Sequence, residues 1–157
     1  MNRAAMTLLS ETDGGGNFVN SQDHTSDELI QKALQAYERA YAPYSEYHVG
    51  AAVLTSDGEI YTGCNIENAV YPLTLCAERV AIFKAVSEGA VSVQALAVVT
   101  ENGGPPCGSC RQVMQEFGNE NTVIYIANTK GAFRTRRLKE LLPDSFSAAD
   151  LVPKSQS

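Results

Sequence analysis

No apolar run in the 157 residues approaches the length a membrane span requires, and the N-terminus lacks the charged-then-apolar pattern of a secretory signal. Basic residues are in deficit: 12 Lys and Arg stand against 18 Asp and Glu, for a net charge of −6. Such a chain repels phosphate backbones, which argues against a polynucleotide partner. Histidine is scarce too, and both copies, His24 and His48, lie away from the cysteine motifs. The four cysteines are few for a chain that can bury a core without disulfide staples, so they read as metal-binding or catalytic thiols in a reducing setting. The expectation is a cytoplasmic protein with one ordered domain over residues 25–157, no membrane partner and no nucleic-acid partner.

What the chain does have is two short pieces about thirty residues apart. Cys76-Ala77-Glu78 supplies a thiolate and a carboxylate, and Pro106-Cys107-Gly108-Ser109-Cys110 supplies two more thiolates within one helical turn of each other. A structural zinc site takes four protein ligands, whereas three leave a position for a water whose pKa the metal draws toward neutrality. Cys76, Cys107 and Cys110 are therefore the expected ligands of one catalytic Zn²⁺. Glu78, too close to Cys76 to be far from the site, is the expected proton carrier. The order Cys-x-Glu, then Pro-Cys-x-x-Cys, is that of zinc-dependent nucleobase deaminases. Both pieces fall at expected helix starts, where the dipole favours thiolates. Three thiolates leave the metal unit negative, so Arg79 or Arg111, and preferentially Arg79, is expected to donate to the sulfurs. Cys64 has no metal spacing and reads as core.

Along the chain, residues 1–24 are polar and glycine-bearing and read as a disordered leader. Thr25 and Glu28 suit a capping box, opening an amphipathic helix that Pro43 stops. The runs Val49–Leu54 and Ile60–Cys64 bracket Ser56-Asp57-Gly58 as a hairpin. A buried helix from Ala77 ends at Gly89. The almost unbroken apolar run Val93–Thr100 reads as a central strand. A helix from Cys107 to Gly118, a strand over Thr122–Ala127, a short strand around Phe133 and a helix over Arg136–Leu142 complete the chain. Helices between the later strands imply parallel pairing there, hence an α/β fold with a mixed sheet covered on both faces.

The chain resembles the small homotetrameric cytidine deaminases. The resemblance runs from about residue 27 to 151 and is carried by Tyr41-Ala42-Pro43-Tyr44-Ser45, Val49-Gly50-Ala51-Ala52, Gly63-Cys64-Asn65-Ile66-Glu67-Asn68-Ala69, Cys76-Ala77-Glu78-Arg79, Pro106-Cys107-Gly108-Ser109-Cys110-Arg111-Gln112 and Glu140-Leu141-Leu142-Pro143. It implies a three-layer α/β/α sandwich around a five-stranded mixed sheet, one zinc per subunit, and hydrolytic deamination of cytidine and 2′-deoxycytidine in pyrimidine salvage. In that reaction Glu78 takes a proton from the activated water, delivers it to a ring nitrogen, and later passes one to the departing amine, while hydroxide attacks the amino-bearing carbon. The resemblance further implies that Asn65 and Glu67 bind the ribose hydroxyls and that the Ala77 N–H holds the base carbonyl. Phe146 would reach a neighbouring subunit's site in a homotetramer. The resemblance also implies that Tyr47, standing where the family usually has Phe, packs against the nucleoside, and its hydroxyl then needs a partner. Two other readings are a deaminase of a modified cytosine nucleoside such as blasticidin S, and a non-catalytic module in which zinc, with a fourth protein ligand, only holds two helices together.

Overall fold

A computed structural model of the chain describes residues 22–151. The leader expected over residues 1–24 therefore lies outside the described residues as far as residue 21. Helix α1 (Gln22–Tyr37) is followed by the strands β1 (Val49–Thr55) and β2 (Ile60–Cys64), then α2 (Ala77–Ser87) and β3 (Val93–Thr100). Helix α3 (Gly108–Phe117), strands β4 (Val123–Asn128) and β5 (Phe133–Arg137), and the single-turn α4 (Leu138–Leu141) complete the order. The five strands form one sheet in the order β2-β1-β3-β4-β5. Only β3 and β4, joined through α3, run parallel; the other neighbours are antiparallel.

Alternation along the strands sends side chains to two separate cores. On one face Leu29, Ile30 and Ala33 of α1 pack on Ala52, Ala97 and Val99. On the other, Ala81 and Ile82 of α2 and Met114 of α3 pack on Val53, Leu96, Val98 and Ile124. The period-2 pattern thus separates the layers residue by residue, and the expected α/β/α sandwich with a five-stranded mixed sheet is the fold observed. Two glycines permit close packing of helix on sheet. A Cβ on Gly50 would fall 2.0 Å from the Ala33 carbonyl oxygen of α1, and one on Gly63 would fall 2.5 Å from the Ala81 nitrogen of α2. Any side chain at Gly63 would push α2, which carries Glu78, off the sheet.

Three boundaries differ from the sequence reading. Helix α1 begins at Gln22, which puts Thr25 inside the helix and not at its cap. It also ends at Tyr37, well before Pro43: Arg39 and Ala40 donate back to Ala36 and Tyr37 in tight turns, and the Tyr41 N–H then pairs with the Asn65 carbonyl. Sheet-like pairing of Tyr41 with the segment around Ile66 thus outcompetes another helical turn. Finally, Arg136 and Arg137 belong to β5, not to the last helix, because they pair with Ile124 and Val123 of β4. The short α4 starts only at Leu138.

Candidate active site and metal centre

Cys76 and Cys107 occupy the same position in two different helices. Each is the N-cap residue with extended backbone, at φ −71°, ψ 150° and φ −69°, ψ 167° respectively. Cys110 follows in the first turn of α3, fully buried. Because α2 and α3 lie side by side on one face of the sheet, their N-termini bring the three sulfurs together. Cys76 Sγ is 3.8 Å from Cys107 Sγ, Cys107 Sγ is 3.5 Å from Cys110 Sγ, and all three lie within 4.8 Å of one another. Sulfurs bound at about 2.3 Å to a tetrahedral ion sit roughly 3.8 Å apart. The spacing and the soft donor set therefore fit zinc, and the cysteines are free thiols, not disulfide partners.

The electrostatics favour ionisation at Cys76. A hydrogen bond from Cys110, and then the Arg79 guanidinium, hold its thiol at about 5, well below the ordinary value. Arg79 Nη2 lies 3.5 Å from that sulfur and 3.2 Å from the Thr74 carbonyl oxygen, to which it also donates. Cys110 is pushed the other way, by the Cys76 sulfur first and by burial second, so metal uptake must displace its proton. Arg111 does not serve the sulfurs. Its Nε donates to the Pro106 carbonyl and its Nη1 to that of Leu141, tying the loop before α3 to α4.

Glu78 sits in the first turn of α2 and is only 4% exposed. Burial, opposed by the helix-start N–H and reinforced by the Cys76 charge, raises its carboxyl to about 7. A carboxyl that changes protonation near neutrality is suited to moving protons, which one in water is not.

The family model for the cytidine and deoxycytidylate deaminase zinc-binding region matches residues 23–126, well over half of the chain. The chain belongs to this deaminase family. It is 52% identical over 127 residues to a protein named cytidine deaminase from Sporosarcina psychrophila, covering 80% of this chain and 93% of that one. A cytidine deaminase of Mycobacterium tuberculosis strain H37Rv is 46% identical over 125 residues, covering 78% of this chain and 90% of that one. Among solved structures, the cytidine deaminase from Burkholderia pseudomallei aligns with a TM-score of 0.73 at 48% identity, covering 76% of this chain and 98% of that one. The chain is thus a zinc-dependent deaminase with one Zn²⁺ site formed by Cys76, Cys107 and Cys110.

In this deaminase a cavity of ≈ 290 Å³ opens beside the metal centre. It gathers Tyr47, Asn65, Glu67, Cys76, Glu78 and Cys107 from four separate segments. Two of the expected substrate-binding residues, Ala77 and Phe146, are absent from its lining. Ala77 is fully buried, although as the first residue of α2 its N–H has no acceptor inside the helix. Phe146 lies outside the chain's own cavity, 60% exposed, with its carbonyl held by Gln112 Nε2 at 2.8 Å. A larger groove of ≈ 370 Å³ carries Lys32, Arg39 and Lys84 but none of the metal ligands, so size does not mark the reactive site.

Asn65 and Glu67 are engaged by their own chain. Asn65 Oδ1 accepts the Val49 N–H at 2.9 Å and its Nδ2 donates to the Tyr47 carbonyl at 2.8 Å. Glu67 accepts the N–H groups of Tyr44 and Ser45 and the Ser45 hydroxyl, and these bonds, the hydroxyl's first, hold its carboxyl below the usual range. Ser45 is a site residue that the sequence reading leaves without a role. Its place two residues before Tyr47, whose N–H it accepts at 3.1 Å, is the one local signal that points to it.

Proposed function

We propose that the chain catalyses the hydrolytic deamination of cytidine and 2′-deoxycytidine to uridine and 2′-deoxyuridine, releasing ammonia, as a cytoplasmic step of pyrimidine salvage. The observation that carries this reading is the buried Glu78 carboxyl beside three convergent sulfurs on the wall of a small-ligand cavity. The relatives named cytidine deaminase support the substrate class.

Zinc on Cys76, Cys107 and Cys110 supplies Lewis acidity that brings the pKa of water toward neutrality. Glu78 accepts a first proton from water and hands it to the pyrimidine ring nitrogen; it then takes the second proton, from the hydroxyl now on the carbon, as that becomes a carbonyl, and delivers it to the leaving amine. Water's oxygen ends on the carbon that loses the amino group, so the atoms balance as uridine and ammonia. Arg79, donating to Cys76 Sγ, offsets the negative charge of the thiolates.

Sugar recognition falls to Asn65 and Glu67. Three of the roughly four acceptor sites on the Glu67 carboxylate are taken, leaving about one for a sugar hydroxyl. Asn65 keeps about one N–H and one lone pair. Prior engagement by the protein fixes both groups in place before substrate arrives, so little entropy is lost on binding. The Ala77 N–H at the start of α2 holds the base carbonyl.

The working form is a homotetramer in which Phe146 of one subunit closes a neighbour's cavity. An exposed apolar band supports assembly: Tyr44 meets Tyr71 edge-on at 5.7 Å between ring centres, and Val70 and Leu73 lie exposed nearby in sequence. Phe146→Ala is expected to raise KM for cytidine by roughly thirtyfold or more with zinc retained, since aromatic anchors at interfaces are worth about 2 kcal/mol or more. Unchanged kinetics would remove Phe146 from the shared site.

The direct test follows the loss of cytosine-ring absorbance with cytidine, deoxycytidine, CMP, cytosine and blasticidin S offered separately. Turnover of the two nucleosides supports the reading. Activity on another member with neither nucleoside consumed would overturn it.

A further inference from the structure

A polar chain on the cavity wall remains outside the chemistry above. Tyr47 Oη donates to Asn102 Oδ1 at 2.9 Å, linking positions 55 residues apart. The same oxygen receives the Thr100 hydroxyl at 3.1 Å, and Thr100 Oγ1 in turn receives the Gly104 N–H at 2.6 Å. Every hydrogen in the series has one acceptor, so the series runs in a single direction from Gly104 and Tyr47 onto Asn102. Tyr47 is pinned at its backbone as well, through Ser45 Oγ and Asn65 Nδ2. Its hydroxyl therefore joins the segment that organises Asn65 and Glu67 to the loop over residues 101–106, which runs directly into Cys107.

Gly104 gives an independent sign of the same contact. A Cβ there would fall 2.6 Å from Tyr47 Oη, whereas the next atoms, Asn102 Oδ1 and Thr100 Oγ1, would be at 3.4 and 3.5 Å. The backbone is thus seated against the phenol oxygen, and only that oxygen stands in the way of a side chain.

We infer that the Tyr47 hydroxyl and Asn102 form a strap at the edge of the cavity, with Asn102, Thr100 and Gly104 as positioning residues that hold the Tyr47 ring and the loop before Cys107 for the nucleoside. A phenylalanine at position 47 would offer the same ring face but could not tie its segment to the loop over residues 101–106. The assignment rests on the deaminase reading for its kinetic consequences, though not for its structural ones. Because each bond is between neutral groups, its loss is expected to weaken nucleoside binding by roughly two- to tenfold. The reacting groups are untouched, so the effect falls on KM, with kcat changing by no more than about twofold.

The test uses the zinc-loaded full chain and the variants Tyr47→Phe, Asn102→Ala and Gly104→Ala, singly and in pairs. The two strap variants are expected to raise KM for cytidine alike, and their combination to be no worse than the worse single change. Gly104→Ala should raise KM in the otherwise native chain and much less in the Tyr47→Phe background, where the obstructing oxygen is gone. A residue that merely supported the fold would show no such rescue. Hydrogen exchange of the amides over residues 101–106 is expected to accelerate in Tyr47→Phe and in Asn102→Ala. This readout needs no turnover, so it decides the strap even if cytidine proves not to be the substrate. Additive KM losses, an equal Gly104→Ala penalty in both backgrounds, or unchanged loop exchange in both strap variants would each overturn it.

Discussion

Glu78→Gln is expected to keep one zinc per chain and to lower kcat by roughly 10²- to 10⁴-fold, the contribution of a positioned acid–base group. Glutamine has the shape of glutamate and can fill the same 4% exposed position in the first turn of α2. It cannot take up and release a proton. The three sulfurs come from positions that this change does not touch, so the metal content, measured by atomic absorption, should stay stoichiometric while cytidine turnover fails. The pairing of the two readouts matters, because a variant that lost both zinc and activity would say only that the site had collapsed. Stoichiometric zinc with the native rate would strip Glu78 of its role.

Cys110→Ala is expected to abolish both zinc binding and turnover and to lower the melting temperature. Cys110 is the one ligand that is wholly buried, and its sulfur belongs to the core formed by α2, α3 and the sheet as well as to the metal centre. Truncation leaves two sulfurs, too few to close a site with a single open position. A ligand that binds only the folded state at a hundred times its dissociation constant stabilises it by about 2.7 kcal/mol, so zinc should raise the melting temperature of the metal-depleted native chain. The same addition should leave Cys110→Ala unmoved. Chelation followed by zinc should restore cytidine turnover in the native chain alone. Full zinc and native turnover in Cys110→Ala would show that the ligand set is wrong.

The metal centre is largely legible in the order of residues because its parts are local. Cys107 and Cys110 are within one turn, Glu78 is two residues from Cys76, and such separations constrain distance in almost any helical start. The hairpin is legible for the same reason: Asp57-Gly58 turns the chain between two alternating runs, and Gly58 adopts the positive φ of 89° that the turn requires. Boundaries decided by competition between distant segments are not legible. Pro43 is a reasonable helix stop, but Tyr41 has already left the helix to pair beside Ile66. Arg136 and Arg137 suit a helix by propensity, yet the open edge of β4 holds them as strand.

By itself the order of residues determined which groups could gather at a metal centre, since thiolates at helix starts and a carboxylate two residues away are properties of a few consecutive positions. It also determined the two-sided sheet, because the almost unbroken apolar run Val93–Thr100 puts side chains on both faces that need a cover. Only the tertiary structure decided that Cys76 meets Cys107, that Glu78 is buried deeply enough to hold a proton near neutrality, and that Tyr47 bonds Asn102. Those facts depend on how α2 and α3 lie side by side and how two loops approach across the sheet. No spacing along the chain encodes such a distance; it emerges when both apolar faces are buried at once.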